Sequence, residues 1–441
     1  MSLSLDDCVK NLTADKLCSV REFVEGNYTE GWDRKMELLS RKGVYPYSYF
    51  TGPEKFLETQ LPERAHFFND LTQQHISDKD WDFVNDVWAE FNLQDLGQLH
   101  DLYVAADALL LADAMNNFRE QCYNNFQLEV LHYYTLPGFS WDACLRMTKA
   151  ELENIVDIDM YLMIERGIRG GISVISHRHS KANSPQLPDY NPDLPNKHIL
   201  FVDSNNLYGW SMVQKLPYNN FKWMTEEELK FNIKEFDADG DQGCILEVDL
   251  EIPEEIHNLT NDYPLAPEHL EINQDMISPF SRKVREKRGG SENFTTRKLA
   301  PNLLPKKKYV VHIRNLQYFI SKGVVVKKIH QGITFHQRAW MEPYIMFNTL
   351  ERQLATTESK RSLHKLLNNS TFGKTMENKR IHINVVLVTQ ERQQTYQTSK
   401  PGFKRFAIFS DDLTAVEITK PRIVLDKPIY TGNIYGYSFK M

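Results

Sequence analysis

The pattern of apolar and polar positions predicts several helices and strands along the chain. Four consecutive apolar residues at 199–202 predict a short buried strand that ends at Asp203. Residues 81–88 predict an amphipathic helix, and residues 99–129 predict one long helix or a helical hairpin. Residues 244–250 alternate as in a half-buried strand, in which Glu247 and Asp249 share a face expected to be exposed. This mixture of elements predicts an α+β fold.

A further helical pattern covers residues 348–372, as one helix or as two with a break near residues 356–357. Leucines and Ser370 fall on one side of this helix. The opposite side, within an arc of about 100°, carries two amides, an aromatic ring and two cations but no acid. Its members are Arg361, Lys365, Asn368, Asn369 and Phe372. Such a face suits a triphosphate and a base pair, although an ordinary amphipathic helix with a solvated face is the alternative.

Length and composition narrow the possible classes of protein. The chain has 441 residues, which predicts about three domains. The absence of an 18-residue apolar run and of a signal peptide argues against a membrane or secreted location. Five scattered cysteines without a CxxC pair predict reduced thiols, and therefore an intracellular protein of the nucleus or cytoplasm. His177 and His179 lack a nearby third metal ligand, so a surface or packing role is expected.

Charge is unevenly distributed along the chain. The whole sequence has a net charge of −7, but residues 1–100 hold 18 Asp/Glu against 10 Lys/Arg, a net of −8. Residues 282–308 hold 10 Lys/Arg against 2 Asp/Glu, a net of +8. This basic segment predicts salt-sensitive contact with nucleic-acid phosphates, and a solvated loop is the alternative.

Two short motifs add candidate chemistry. Asp203 follows the predicted strand, and a rigid carboxylate at that place could bind Mg²⁺ while Tyr208 packs against a sugar. A strand that ends in an Asx-turn is the alternative. The second motif, KLLNNSTFG at 365–373, lies in the predicted helix about 160 residues further along.

In this order, DSNNLYG at 203–209 and KLLNNSTFG resemble motifs A and B of family B DNA polymerases. The chain is most similar to the protein-primed branch of organellar and viral type, including Maverick/Polinton-like transposon polymerases. The resemblance implies a partial right-hand polymerase, with palm, fingers and an insertion, after a remnant of an RNase H-like exonuclease domain. It also implies a DNA-directed DNA polymerase that uses Mg²⁺ or Mn²⁺. Its expected partners are primer-template DNA, deoxynucleoside triphosphates and a terminal protein primer, with no membrane.

The resemblance assigns roles residue by residue. Asp203 would be the catalytic residue and metal ligand. Nucleotide binding would fall to Asn206, Leu207, Tyr208, Lys365, Asn369 and Phe372. DNA binding would fall to Arg169, Gly170, Gly171, Ser370, Gly373, Lys306, Lys307 and Lys308. Tyr103 and Asp107 match the YxxxD exonuclease motif, but no DxE precedes them, so we expect a remnant without proofreading.

The implied domains are the C-terminal part of the exonuclease domain at 1–155, the palm with motif A at 156–225 and an insertion resembling terminal-protein region 1 at 226–345. The fingers with motif B would follow at 346–385, and a second insertion with the start of the returning palm at 386–441. Motif C, YxDTDS, is missing, since Asp411 and Asp412 lack its spacing and predict a turn between two strands.

The missing motifs bear on activity. We therefore expect a truncated chain that does not polymerise DNA alone. The alternative is a non-catalytic nucleic-acid-binding remnant of a transposon polymerase. An unrelated hydrolase would need an acid/base constellation that the sequence does not offer.

Overall fold

A computed structural model describes residues 4–10, 12–170, 172, 175–177, 179–203, 206–291, 294–420 and 422–432. Its α-helices, in chain order, are α1 (Leu5–Val9), α2 (Cys18–Asn27), α3 (Trp32–Leu39), α4 (Asp78–Glu90), α5 (Leu96–Phe126), α6 (Leu136–Thr148), α7 (Ile158–Gly167), α8 (Leu207–Met212), α9 (His257–Thr260), α10 (Pro279–Lys287), α11 (Ile313–Ser321), α12 (Glu342–Leu354), α13 (Glu358–Thr375) and α14 (Glu391–Thr398). The strands are β1 (Leu216–Trp223), β2 (Gln242–Glu251), β3 (Glu268–Ile272), β4 (Thr296–Ala300), β5 (Lys306–His312), β6 (Val325–Arg338), β7 (Ile383–Val388), β8 (Phe403–Ser410) and β9 (Leu413–Thr419).

The chain divides into two compact units, residues 1–143 with 347–367 and residues 144–346 with 368–441. In the first unit the long helix α5 supplies much of the core, through Leu96, Leu99, Leu102, Ala106 and Leu110. The 3-4 spacing of these buried residues is that of one helical face. The prediction of one long helix over 99–129 is thereby confirmed, as are the helix at 81–88 and the break near residues 356–357.

A buried carboxylate fixes the start of α2. Asp113, on α5, is 1% exposed, and its two carboxylate oxygens accept the backbone N–H groups of Ser19 (2.8 Å) and Val20 (3.2 Å). The first N–H groups of a helix have no partner within the helix. Asp113 therefore caps α2 from 93 residues away and joins α2 to α5.

The second unit is built on a four-stranded antiparallel sheet in the order β1-β6-β2-β5. One face of β2, with Leu246 and Val248, packs against α11, and the other, with Ile245, packs against α7. Both faces of β2 are covered, so the prediction of a half-buried strand is wrong. Glu247 is 4% exposed and pairs with Arg166 of α7 at 2.7 Å, which corrects its predicted exposure.

The same sheet joins segments that the predicted domain division separates. β1 lies within the predicted palm at 156–225, whereas β2, β5 and β6 lie within the predicted insertion at 226–345. The predicted boundary at residue 225 therefore cuts a continuous sheet in which Trp223 is paired with Ile333.

A separate three-stranded sheet, β7-β9-β8, is covered on one face by α14. Val388, Val416 and Ile418 form its small core. Asp411 and Asp412 form the turn between β8 and β9, as predicted.

All five cysteines are free thiols. Among the described helices, none is both long enough and apolar enough to cross a membrane.

Candidate functional site

The two sequence motifs meet through a pair of aromatic rings in the second unit. Tyr208 of α8 and Phe372 of α13 have ring centroids 4.3 Å apart, with the ring planes inclined by 33°. Their separation of 164 residues makes this a tertiary contact. The structure therefore brings the motif A turn to the end of the motif B helix.

The local conformation at Asn206 explains why glycine follows Tyr208. Asn206 precedes α8 in the left-handed region, with φ 55° and ψ 42°. Asparagine tolerates this region better than most residues. Gly209 is buried, and a Cβ on it would lie 2.2 Å from Nδ2 of Asn206. Glycine at 209 therefore allows the turn that holds Leu207 and Tyr208.

The predicted strand before Asp203 is wrong. Residues 198–203 form no strand, and Ile199, Leu200, Phe201 and Val202 are 60%, 83%, 92% and 75% exposed. A strand is stable only when its backbone groups pair with another strand, and no described strand pairs with this run. Asp203 is accordingly exposed in a segment without regular secondary structure, rather than fixed at the end of a central strand.

Helix α13 presents most of its predicted polar face. Lys365 and Asn369 are exposed, Phe372 is half-buried, and Leu363 and Leu367 are buried as predicted. Asn368 is an exception, since it is 4% exposed and its Nδ2 donates to the carbonyl of Ile345 at 3.5 Å. The helix packs through polar as well as apolar residues, so the 100° arc assigned Asn368 to the wrong side.

Buried polar contacts also anchor α13 within the first unit. Nδ1 of His364 lies 2.8 Å from Oδ1 of Asn348 on α12, and the two side chains are 1% and 0% exposed. The Ser140 hydroxyl donates to the carbonyl of Leu367 at 2.6 Å. Burial lowers the pKa of His364 to about 4, which keeps the imidazole neutral. These contacts fix the rotation of the helix that exposes Lys365.

The space beside Gly373, near the C-terminal end of α13, is open. Gly373 is exposed, and a Cβ there would meet no atom within 4 Å, while Ser370 is half-buried. The described neighbours therefore do not require glycine at position 373. Its absent side chain would matter only for a molecule that approaches from outside.

Arg169, which was predicted to bind DNA, contacts other parts of the protein. The Arg169 guanidinium lies 3.8 Å from the Tyr309 ring centroid and donates to the carbonyl of Val310 at 2.8 Å. Burial lowers the pKa of Arg169. These contacts to the protein oppose the predicted DNA contact, whereas Gly170 is exposed with no neighbour near its Cβ position. Gly171 lies outside the described residues.

The prediction that Lys306 contacts DNA is also wrong. Lys306 is 0% exposed, and its ammonium donates to Glu268 at 2.8 Å and to Asn302. Burial lowers the pKa of Lys306, and the Glu268 carboxylate partly offsets this. As the first residue of β5, it takes the inward position that the strand's alternation gives it. Lys307 and Lys308 are exposed, and the Lys308 N–H donates to Asp249 at 2.9 Å.

Tyr103 and Asp107 lie one turn apart in α5, as the YxxxD pattern predicts. The Tyr103 ring stacks on Tyr45 with centroids 4.6 Å apart, and its hydroxyl bonds to that of Tyr47. Burial, followed by the bond to Tyr47, raises the pKa of Tyr103. Tyr47 was not predicted as a partner of Tyr103, although the alternating tyrosines at 45, 47 and 49 were a visible signal.

The described residues do not fit a two-metal centre. No group of three or more His, Cys, Asp or Glu side chains that could hold a metal ion occurs in the described part of the chain. Mg²⁺ in nucleotide enzymes is commonly held by one or two carboxylates together with phosphates and waters. Asp203 fits one such carboxylate.

Comparison with known proteins gives a family match over most of the chain. The model of the family "DNA polymerase type B, organellar and viral" matches residues 89–401, which include both motifs and the YxxxD pattern. A curated relative, the phenylalanine–tRNA ligase beta subunit of Mycoplasma mycoides subsp. mycoides SC (strain CCUG 32753 / NCTC 10114 / PG1), is 24% identical over 206 residues. That alignment covers 40% of this chain and 26% of the ligase subunit.

The solved structures that match are of Phi29 DNA polymerase. Its complex with primer-template DNA and incoming nucleotide is 14% identical with a TM-score of 0.45, and covers 90% of this chain and 56% of that one. Its orthorhombic crystal form is 12% identical with a TM-score of 0.41, and covers 90% and 55%. The chain thus spans about half the length of these polymerases.

The resemblance inferred from the two motifs is therefore confirmed at the level of the family. The match of 89–401 takes in more than two thirds of the sequence and contains the residues whose rings meet at Tyr208 and Phe372. This chain belongs to the type B DNA polymerases of the organellar and viral family.

Proposed function

We propose that this chain carries the nucleotide-binding part of a DNA-directed DNA polymerase, which transfers a deoxynucleotide to a primer 3′-hydroxyl under the direction of a template. In this reaction the 3′-oxygen attacks the α-phosphorus and pyrophosphate leaves. The observation that carries the proposal is the contact of Tyr208 with Phe372, because it joins the two motifs in one place. Family membership supports the same reaction.

The proposed residue roles are those that the motif resemblance assigns. Tyr208, held by the turn at Asn206, would lie against the sugar of the incoming nucleotide and exclude a 2′-hydroxyl. Phe372 and Asn369 would lie beside the nascent base pair, and Lys365 would contact the phosphates. Asp203 would contribute one carboxylate to a divalent cation, Mg²⁺ or Mn²⁺, that is also bound by the phosphates. The carboxylate is exposed, which leaves it accessible to such a complex.

The primer-template duplex is the proposed macromolecular partner. Exposed cations at 282–308 remain after Lys306 is removed from the set, namely Lys283, Lys287, Arg288, Arg297, Lys298, Lys307 and Lys308. Such side chains would contact phosphates without reading the sequence. A terminal protein primer and a Maverick/Polinton-like mobile element are further proposals that rest on the motif resemblance alone.

The first experiment measures nucleotide selection. A primer-template ended by a dideoxynucleotide is titrated with each deoxynucleoside triphosphate, and the stability of the complex is followed by fluorescence anisotropy. We expect the template-matched nucleotide to bind at least about 10-fold more tightly than the others. In Tyr208→Ala, preference for deoxynucleotide over ribonucleotide should fall by roughly 10–100-fold, since a wall against the 2′-hydroxyl is removed.

Primer extension with Mg²⁺ or Mn²⁺ is the companion measurement, with Asp203→Ala as the comparison. Extension that depends on Asp203 supports the polymerase. DNA binding in which all four nucleotides bind equally and no primer is extended would contradict it. That result favours the second candidate, a nucleic-acid-binding protein without catalysis, for which the exposed cations at 282–308 are the specific observation.

A substitution at Gly373 separates stability from DNA binding. In a helix, alanine is more favourable than glycine by about 0.5–1 kcal/mol. Because a Cβ at 373 meets no protein atom within 4 Å, Gly373→Ala should raise the free energy of unfolding by about that amount. If the duplex approaches this backbone, the added methyl group should weaken primer-template binding by roughly 10-fold.

Denaturant unfolding and anisotropy titration measure these two effects. Ser362→Ala, on the same helix but near its other end, is the matched control and should leave DNA affinity unchanged. Unchanged affinity in Gly373→Ala would place the duplex elsewhere.

A further inference from the structure

The edge strand β8 exposes unusual side chains. Among the described strands, β8 pairs only with β9, and every residue from Lys404 to Ser410 is exposed. Helix α14 packs against β7, β8 and β9, yet these side chains of β8 remain exposed. Long, exposed and apolar edge strands are ordinarily avoided because they invite association. The composition of β8 therefore needs an explanation in terms of a partner.

Aromatic rings form the first part of this surface. Phe406 and Phe409 are 49% and 66% exposed. The Phe406 ring lies nearly parallel to that of Phe403, at 28° and with centroids 6.3 Å apart. Phe403 packs against the core of Val388, Val416 and Ile418. The exposed ring of Phe406 is thus held in position by a neighbour anchored in the core.

Positive charge forms the second part. Lys404 and Arg405 lie between the rings, and β8 itself contains no acidic residue. The Arg405 side chain is 80% exposed although its Nε is 2.6 Å from Glu417. Just before the strand, the Lys400 ammonium lies 4.6 Å from the ring centroid of Tyr396, which is 63% exposed. The acids of the following turn, Asp411 and Asp412, oppose this charge at the other end.

We propose that β8 is a binding surface for single-stranded nucleic acid, in which bases stack on Phe406 and Phe409 and phosphates are contacted by Lys400, Lys404 and Arg405. Aromatic rings interspersed with cations bind single strands with little sequence preference, because every base has a π-face. A peptide that adds a strand to this edge would need only apolar side chains and a free backbone edge. The strand's positive charge and two exposed rings favour the polyanion. The inference rests on the proposed function, since a polymerase works beside unpaired template.

The test uses the full chain and a fluorescent oligothymidylate of roughly 12 nucleotides, with neither duplex nor nucleotide present. The double variant Phe406→Ala/Phe409→Ala should bind at least about 10-fold more weakly, and each single variant about 5-fold more weakly. Ile408→Ala is the matched control, because Ile408 is an equally exposed apolar residue of the same strand at 64%. It should bind as the unaltered chain does.

Charge variants give an independent reading of the same complex. With about three phosphates neutralised, log K should fall with log salt at a slope near −2, and Lys404→Ala should reduce this slope by about 0.7. Replacing Asp411 and Asp412 with asparagine should tighten binding. Equal affinity of the double aromatic variant and the unaltered chain would overturn the proposal. Equal weakening by Ile408→Ala would also overturn it and point to a peptide strand.

Two controls distinguish failure of the proposed binding surface on β8 from failure of the proposed polymerase site. The double variant should keep the circular dichroism spectrum and the selection of template-matched nucleotide, because neither ring belongs to the contact of Tyr208 with Phe372. Loss of oligothymidylate binding with retained nucleotide selection supports the surface on β8. Oligothymidylate binding that depends on Phe406 and Phe409, in a chain that selects no nucleotide, supports the surface and contradicts the proposed polymerase site.

Discussion

Replacing Lys365 with alanine is expected to weaken binding of the incoming deoxynucleoside triphosphate by about 10–100-fold, while primer-template affinity stays nearly unchanged. Lys365 is exposed on α13, and it forms no ion pair in the described part of the structure. Its ammonium is therefore available to an external anion. A hydrogen bond between a cation and a phosphate contributes about 1.5–3 kcal/mol, which corresponds to this change in affinity. Titration of the dideoxy-ended complex with the matched nucleotide measures it.

Lys360→Ala provides the matched control for charge. Lys360 belongs to the same helix, but its ammonium is paired with Glu351 at 2.7 Å. Its removal takes away the same formal charge without removing an available phosphate ligand, so nucleotide affinity should change by less than about 3-fold. Equal effects of the two substitutions would mean that α13 acts only through its overall charge, and Lys365 would lose its assigned role.

Elements that depend on local pattern were predicted well from the sequence. The long helix α5, the helix α4 and the break between α12 and α13 all follow from apolar spacing over many residues. The turn at Asp411 and Asp412 follows from two acidic residues between apolar runs. In each case the information lies within one or two dozen neighbouring residues, and tertiary packing does not reverse it.

Elements that depend on distant partners were not predictable in the same way. The run at 199–202 is as apolar as a buried strand, yet its exposure depends on whether another strand pairs with it. In the sequence, Lys306 is equivalent to Lys307 and Lys308. In the fold, the alternation of the strand turns it inward, where it is buried and forms an ion pair with Glu268. Glu247 is buried because Arg166, 81 residues away, neutralises it.

The candidate site shows the same division. Motif order identified Tyr208 and Phe372 as members of one site, but only the fold brings their rings to 4.3 Å. The polar arc of α13 correctly predicted that Lys365 and Asn369 are exposed. It wrongly predicted the same for Asn368, whose Nδ2 donates to the carbonyl of Ile345. A helical wheel treats amides as polar and therefore outward, but packing beside Ile345 buries Asn368 in the fold.

Acidification should destabilise the chain well before its carboxylates are protonated. His364 and His312 are 1% and 2% exposed, and burial lowers their pKa values to about 4 and about 3. In the unfolded chain a histidine has a pKa near 6.5. The unfolded state therefore binds more protons below about pH 6.5, so stability is fully present above that pH and is lost as pH falls towards the folded pKa values.

The expected loss is about 2 kcal/mol for each histidine between pH 7 and pH 5. Denaturant unfolding across this range measures it, and His364→Phe and His312→Asn should each flatten the pH dependence even though they lower stability at pH 7. Since His364 belongs to the first unit and His312 to the second, each substitution should act on the transition of its own unit. His179→Asn, at an exposed position, is the control and should keep the full pH dependence. Unchanged pH dependence in both buried-histidine variants would show that these imidazoles are not the groups that take up the protons.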